Sequence, residues 1–271
     1  MKRRQSIIIW CISLLFVSCA STRVEATKEQ ISKGDNYTIT KHYDEPSETH
    51  YFLTRIKNKD KKGNIIKLQT AFAAKAEGET VREFAIRSGS TLAFNASTQR
   101  RPTPDTKAPN GVQIIDGKVM QDIHGTVYTL GIKADNELVS YSPGTRAADM
   151  LQDGAVNAIT AFIPLIIDHT NVDDSLLTIR KNFNEKHPRQ IIAQFDNLDI
   201  LFLSCGGRGF DGEGMTSKDV MRVLQELNVK FSYMLDGGGS TTLVEEGRLI
   251  TKKIDKNGTE ERTRPNFLYI E

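Results

Sequence analysis

One order of local signals occurs twice in this chain, and that duplication limits the folds open to it. In the first passage Val81, Phe84, Ala85 and Ser88 fall at helical spacing behind Thr80, a candidate N-cap, and a short strand from Thr91 to Phe94 ends at Asn95. In the second, Thr216 with Asp219 three residues on makes a capping box, Val220, Val223, Leu224 and Leu227 share a helical face, and Asn228 supplies the stop. Phe231, Tyr233 and Leu235 then alternate as a strand that delivers Asp236. Each passage closes on a hairpin. Val112 to Ile115 and Lys118 to Met120 flank Asp116-Gly117, the dipeptide best fitted to a type I′ turn, and Thr242 to Val244 and Arg248 to Ile250 flank Glu246-Gly247. Asn95 and Asp236 therefore occupy equivalent positions, and the two strand ends are expected to converge on one site.

The flanking sequence agrees with a sheet-rich domain. Up to about Ala74 apolar and polar residues alternate between turn signals at Asp44-Glu45-Pro46 and at Asp60 to Asn64, and a further hairpin is expected to turn at Asp135-Asn136. The expected class is α+β, with mixed, mainly antiparallel β-sheets, a few packed helices and a pseudo-duplicated helix-strand-loop-hairpin unit.

The first residues carry an export signature: Met1-Lys2-Arg3-Arg4, an apolar run from Ile7 to Val17, then Ser18-Cys19-Ala20-Ser21. At about eleven residues that run is well short of the roughly twenty that span a bilayer. Phe16-Val17-Ser18-Cys19 approximates a lipobox, with lipid attachment at Cys19, while Val24-Glu25-Ala26 suits an ordinary signal peptidase, so two processing routes stay open. Residues 1–20 are expected to be an export or lipoprotein signal, 21–35 a polar tether and 36–271 the folded domain. The expected location is outside the cytoplasm: extracellular, periplasmic, or anchored to a membrane through Cys19. Of three cysteines, Cys11 and Cys19 lie in the export segment, so Cys205 has no obvious partner and disulfides do not hold the fold. With 36 Lys and Arg against 34 Asp and Glu the net charge is only +2, which gives no single-sign field and argues against nucleic-acid binding.

The chemistry concentrates at Asp236-Gly237-Gly238-Gly239-Ser240-Thr241. Three consecutive glycines are entropically costly to order and poor in helix or strand, so a chain that uses them needs backbone conformations or close approaches that a Cβ would block. Successive amides in such a turn can cradle an anion, with the Ser240 and Thr241 hydroxyls as added donors. An acidic residue just before the nest is poorly placed to bind phosphate itself but well placed to act on something bonded to phosphate. Two arginines sit beside apolar strands, Arg189 after His187-Pro188 and Arg208 after Ser204-Cys205-Gly206-Gly207. Their planar forks suit phosphate or carboxylate. A tight turn with a surface aspartate, and arginines and a histidine with purely structural roles, are the plainer readings of the same residues.

Asn95, Asn110-Gly111, His187-Pro188-Arg189, Gly207-Arg208, Gly214-Met215-Thr216 and above all Leu235 to Thr241 resemble, in order, the phosphodiester glycosidase family, over roughly Phe84 to Ile270. The resemblance implies hydrolysis of a sugar-1-phosphodiester at its anomeric carbon in an envelope or extracellular glycopolymer. Asp236, Arg208 and Asn95 would be catalytic. Arg189, Gly237, Gly238, Gly239, Ser240, Thr241, Asn110 and Gly207 would bind substrate. No resident cofactor or metal is implied. Asp236 would act on the sugar side as nucleophile, base or orienter, Arg189 and Arg208 on the phosphate or a substrate carboxylate, and Asn95 on a sugar hydroxyl. The chain departs from the family pattern at Asn95-Ala96-Ser97-Thr98, where Asn-Gly-Gly is usual, and at Gly206-Gly207-Arg208, where Asp-Gly-Arg is usual. That missing acid motivates the alternative of a non-catalytic envelope lipoprotein that binds anionic, phosphate-containing glycopolymers. A third reading makes Asp211, Glu213 and Asp236 ligands of a hard cation such as calcium.

Overall fold

A computed structural model describes residues 28–271. The export segment, with both processing readings, lies outside the described residues. Four sheets dominate the structure, and every neighbouring pair of strands within them runs antiparallel. The largest has eight strands in the order Glu29–Lys33, Tyr37–Asp44, Thr49–Ile56, Ile200–Cys205, Arg189–Gln194, Phe231–Met234, Pro164–Ile167 and Thr170–Asn171. Two five-stranded sheets pack against it. One contains Val112–Ile115, Lys118–Asp122, Thr129–Lys133, Leu138–Tyr141 and Ala155–Thr160; the other contains Gln69–Phe72, Leu92–Asn95, Leu243–Glu245, Arg248–Leu249 and Asn266–Ile270. A separate two-stranded hairpin, Gln99–Thr103 with Thr106–Pro109, stands apart from these.

The central strands explain the layering. Arg189–Gln194 and Ile200–Cys205 are buried at every position, and successive side chains in a strand point to opposite faces. Ile192, Ile200, Phe202 and Tyr233 therefore enter one core against the five-stranded sheets, where Phe94 stacks on Phe202 at 3.7 Å between ring centroids. Ile191, Leu201, Leu203 and Met234 enter a second core, closed by Val220, Val223 and Leu224 of the helix Ser217–Glu226. Burial of both faces is why Ile200–Cys205 reads as a nearly continuous apolar run.

The order helix, strand, hairpin recurs, with an added hairpin, Gln99–Thr103 with Thr106–Pro109, inserted in the first unit, and both helices start at capping boxes. Thr80 caps Val81–Ser88 with Glu83 closing the box, and Thr216 caps Ser217–Glu226 with Asp219. Both hairpin turns have two positive φ angles, 47° and 73° at Asp116-Gly117 and 48° and 75° at Glu246-Gly247, as type I′ requires. The units are not simply stacked copies: the second hairpin adds Leu243–Glu245 alongside the first unit's strand Leu92–Asn95. The tether is shorter than its composition suggests. Glu29–Lys33 forms an edge strand on Tyr37–Asp44, with a bulge between Gln30 and Ser32. A polar strand whose one apolar residue, Ile31, packs on the core leaves no apolar period to read.

Candidate active site

The strand ends expected to meet do so. The Asp236 amide donates to the Ala96 carbonyl at 3.1 Å, and Asn95 Nδ2 donates to the Asp236 carbonyl at 2.6 Å while its Oδ1 accepts from the Thr242 amide at 3.0 Å. Asn95 is wholly buried. Its side chain therefore bridges the two ends of the glycine turn, and the sugar contact expected of it is not available from this position. Asn95 positions Asp236.

The glycines permit close approach. Gly238 has a φ of 62°, the left-handed region that favours glycine. A Cβ on Gly237 would lie 2.7 Å from the Pro188 carbonyl, and one on Gly239 would overlap the Asp255 carboxylate. The turn consumes several of its own amides: Gly238 donates to Pro188, Ser240 to Gly237 and Thr241 to Gly238. The amides of Gly237 and Gly239 have no acceptor among the described residues. The nest expected here is thus a pair of amides. Ser240 and Thr241 are almost fully buried, and the Ser240 hydroxyl accepts from Arg262 Nη1 at 3.3 Å.

Asp236, Gly237 and Gly238 open onto a cavity of about 150 Å³ shared with His187, Arg208 and Arg262. Phe162, Asn182, Pro188 and Arg189 complete its wall. Three arginines stand at this site, Arg208 and Arg262 on the cavity wall and Arg264 on the Asp236 carboxylate, each held differently. Arg264 is 1% exposed and its Nη2 lies 2.6 Å from Asp236 Oδ2 and 2.8 Å from the Ser97 carbonyl. Burial pushes its guanidinium below the ordinary arginine value, and the Asp236 charge opposes that push. Arg262 is clamped by Asp255 through two bonds of 2.6 and 2.7 Å. Arg208, with a φ of 58°, is exposed, and its Nη2 lies 3.1 Å from where a Gly238 Cβ would stand. Its guanidinium has no acceptor among the described residues, which leaves a free cation over the glycine turn.

Several sequence expectations are revised here. Arg189 is not free to hold phosphate: it is 4% exposed, its Nε donates to the Met215 carbonyl at 2.8 Å, and its Nη2 donates to the carbonyls of Asn182 and Glu185 at 2.6 and 2.8 Å. Burial pushes it down to about 10. Arg189 instead fastens the segment that carries His187 and Pro188 against the sheet. Asn110 bonds Thr98 and does not line the cavity. Gly207 lies beneath it, where a Cβ would meet Pro188 at 2.7 Å. The calcium set is not assembled: Asp211 pairs with Lys41 at 3.1 Å, and no group of three or more potential ligands occurs among the described residues. His187 lies at the rim with Nε2 3.3 Å from Glu185, a bond that holds the Glu185 carboxyl below its ordinary value. Cys205 is buried and its thiol is pushed up to about 12, a structural residue.

Arg262 and Arg264 escaped the sequence reading. Their signal was present: Arg262-Thr263-Arg264-Pro265 runs straight into the apolar strand Asn266–Ile270, the arginine-beside-strand pattern that drew attention to Arg208.

The fold is α+β, built of antiparallel sheets, with a carboxylate and arginines gathered at a glycine turn. The chain belongs to the phosphodiester glycosidase family, whose model matches residues 81–271. A prophage-derived uncharacterized protein of Bacillus subtilis, YomE, is 26% identical over 257 residues, covering 86% of this chain; the chain spans 39% of that protein. Among solved structures, the catalytic domain of zebrafish N-acetylglucosamine-1-phosphodiester alpha-N-acetylglucosaminidase, auto-inhibited by its pro-peptide, superposes with a TM-score of 0.69 at 19% identity, covering 91% of this chain and 87% of that one. A hypothetical protein from Synechocystis gives a TM-score of 0.65 at 12% identity over 90% of this chain and 63% of its own. At these identities the likeness is one of fold.

Proposed function

We propose that this protein hydrolyses the anomeric C–O bond of a sugar-1-phosphodiester, releasing a free sugar and a phosphomonoester. The observation that carries the reading is the pairing of Asp236, held by Arg264, with Arg208, which has no acceptor among the described residues, across one small cavity. Cleavage develops positive character on the sugar ring and negative charge on the departing phosphate. Arg208 and the Gly237 amide, both on the cavity wall, would receive that negative charge, with Asp236 on the sugar side. Phosphate leaves readily at neutral pH, so a second carboxylate acting as strong acid is not required. Asp236 is the only carboxylate lining this cavity among the described residues. At about 150 Å³ the cavity is smaller than the roughly 300 Å³ at which ligand pockets usually begin, which fits one scissile group with the remainder of the substrate outside.

We take the substrate to be an envelope or extracellular glycan, a reading supported by the export signature of the first residues. Release of N-acetylglucosamine from a simple N-acetylglucosamine-1-phosphodiester tests the reading. Turnover by the wild-type protein that Arg208→Ala removes supports it. Saturable binding without turnover would instead support the non-catalytic binder.

A further inference from the structure

The hairpin Gln99–Thr103 with Thr106–Pro109 leaves the site directly, two residues after Ser97, whose carbonyl Arg264 binds. It joins none of the larger sheets and its first strand is mostly exposed. Its second strand nevertheless returns to the site. Lys107 Nζ donates to the Thr263 carbonyl at 3.2 Å and to the Thr263 hydroxyl. Thr263 sits between Arg262 and Arg264, so the Lys107 ammonium rests on the short segment that carries both site arginines. An ammonium has three donors. Thr263 takes two, and the third is open. Arg101, on the facing strand, is exposed.

The local charge balance is lopsided. Asp255 is taken by Arg262 and Asp236 by Arg264, while Arg208, Lys107 and Arg101 have no carboxylate partner among the described residues. A lysine serving only solubility would point away from its neighbours. Lys107 is half-buried, and its ammonium is pushed below the ordinary lysine value, first by burial and then by Arg264, Arg101 and Arg262, with Asp255 opposing the push. Cations gathered without counter-charges are self-repelling unless an anion joins them.

We propose that Lys107 and Arg101 form a second anion subsite, receiving a further phosphate or carboxylate of the substrate chain that occupies the cavity. This rests on the glycosidase reading and narrows it: the substrate class is a polyanionic glycan with more than one negative group, and the hairpin selects for it.

Binding tests the subsite independently of turnover. Calorimetric titration compares inorganic polyphosphate of about ten units with inorganic phosphate on the full protein. Polyphosphate is expected to bind at least about tenfold tighter, with a preference that shrinks as salt rises. Arg101→Ala and Lys107→Met should each remove most of that preference and Lys107→Arg should keep it. Lys59→Met, at the opposite end of the eight-stranded sheet, should leave it intact. Arg101 is exposed, so its variant carries no folding risk. Equal affinities in the wild type, or a preference unchanged in both Arg101→Ala and Lys107→Met, would overturn the subsite. If the subsite behaves as expected but no sugar phosphodiester is hydrolysed, the catalytic reading fails and the polyanion site stands.

Discussion

Arg208 and Arg264 illustrate how one residue type performs opposite tasks. Arg208 is exposed and lacks an acceptor among the described residues, whereas Arg264 is buried and spent on Asp236 and the Ser97 carbonyl. Arg208→Ala should leave stability within about 0.5 kcal/mol, as for surface changes, and lower kcat/KM about a hundredfold. Parallel urea unfolding and steady-state kinetics would show the split. Arg264→Met should do the reverse in weight, costing about 3–5 kcal/mol by leaving the Asp236 carboxylate without its partner, which denaturant melts would measure. Asp236 was legible because three glycines follow it. Arg189 was legible as special but not in its role, because sequence cannot say whether a guanidinium beside a buried strand faces a ligand or the carbonyls of Met215, Asn182 and Glu185.

At the scale of elements, local chemistry written into the chain was readable where it is strong. The capping boxes at Thr80 and Thr216 and the positive-φ dipeptides Asp116-Gly117 and Glu246-Gly247 form as their residues dictate. Thr216→Ala should therefore cost about 1 kcal/mol in thermal or chemical unfolding, with the helix Ser217–Glu226 still formed. Gly239→Ala should be worse for activity than for folding, since its Cβ would push Asp255 and Arg262 apart beside the cavity; a crystal structure of the variant should show Arg262 displaced. The stretch from Ala147 to Asn184 gave no readable order. Its helices Ala147–Gln152 and Asp174–Thr178 are six and five residues long, and the first has no side-chain cap. Such pieces are held by tertiary packing rather than by their own propensity.

For the whole molecule, the link between distant parts of the chain is partly electrostatic. Tyr37 donates to Glu245 at 2.9 Å, tying the N-terminal strands to the second hairpin; more locally, Arg87 holds Glu79 at 2.7 Å. The hydrogen bond from Arg87 keeps the Glu79 carboxyl below its ordinary value near 4.5. Glu245 is also lowered: burial opposes the shift, but bonds from Ser32, Arg248 and Tyr37 outweigh it. A depressed folded-state value contributes stability above about pH 4.5 that is lost as pH falls through the folded value. The urea midpoint should accordingly hold steady above about pH 5 and decline below about pH 4. Glu79→Gln should flatten part of that decline. The antiparallel α+β architecture was legible because alternation and turn chemistry agree along most of the chain. The stacking of three large sheets was not, because it depends on which faces of Arg189–Gln194 and Ile200–Cys205 find partners far away in sequence.

Whether the bond broken lies between the anomeric carbon and oxygen, as proposed, is read from hydrolysis of a sugar-1-phosphodiester in heavy-oxygen water. Mass spectrometry of the released phosphomonoester should find no heavy oxygen, since the bridging oxygen departs with phosphorus and water attacks carbon. Heavy oxygen in that phosphomonoester, or release of the sugar-1-phosphate instead, would mean attack at phosphorus and would contradict the account.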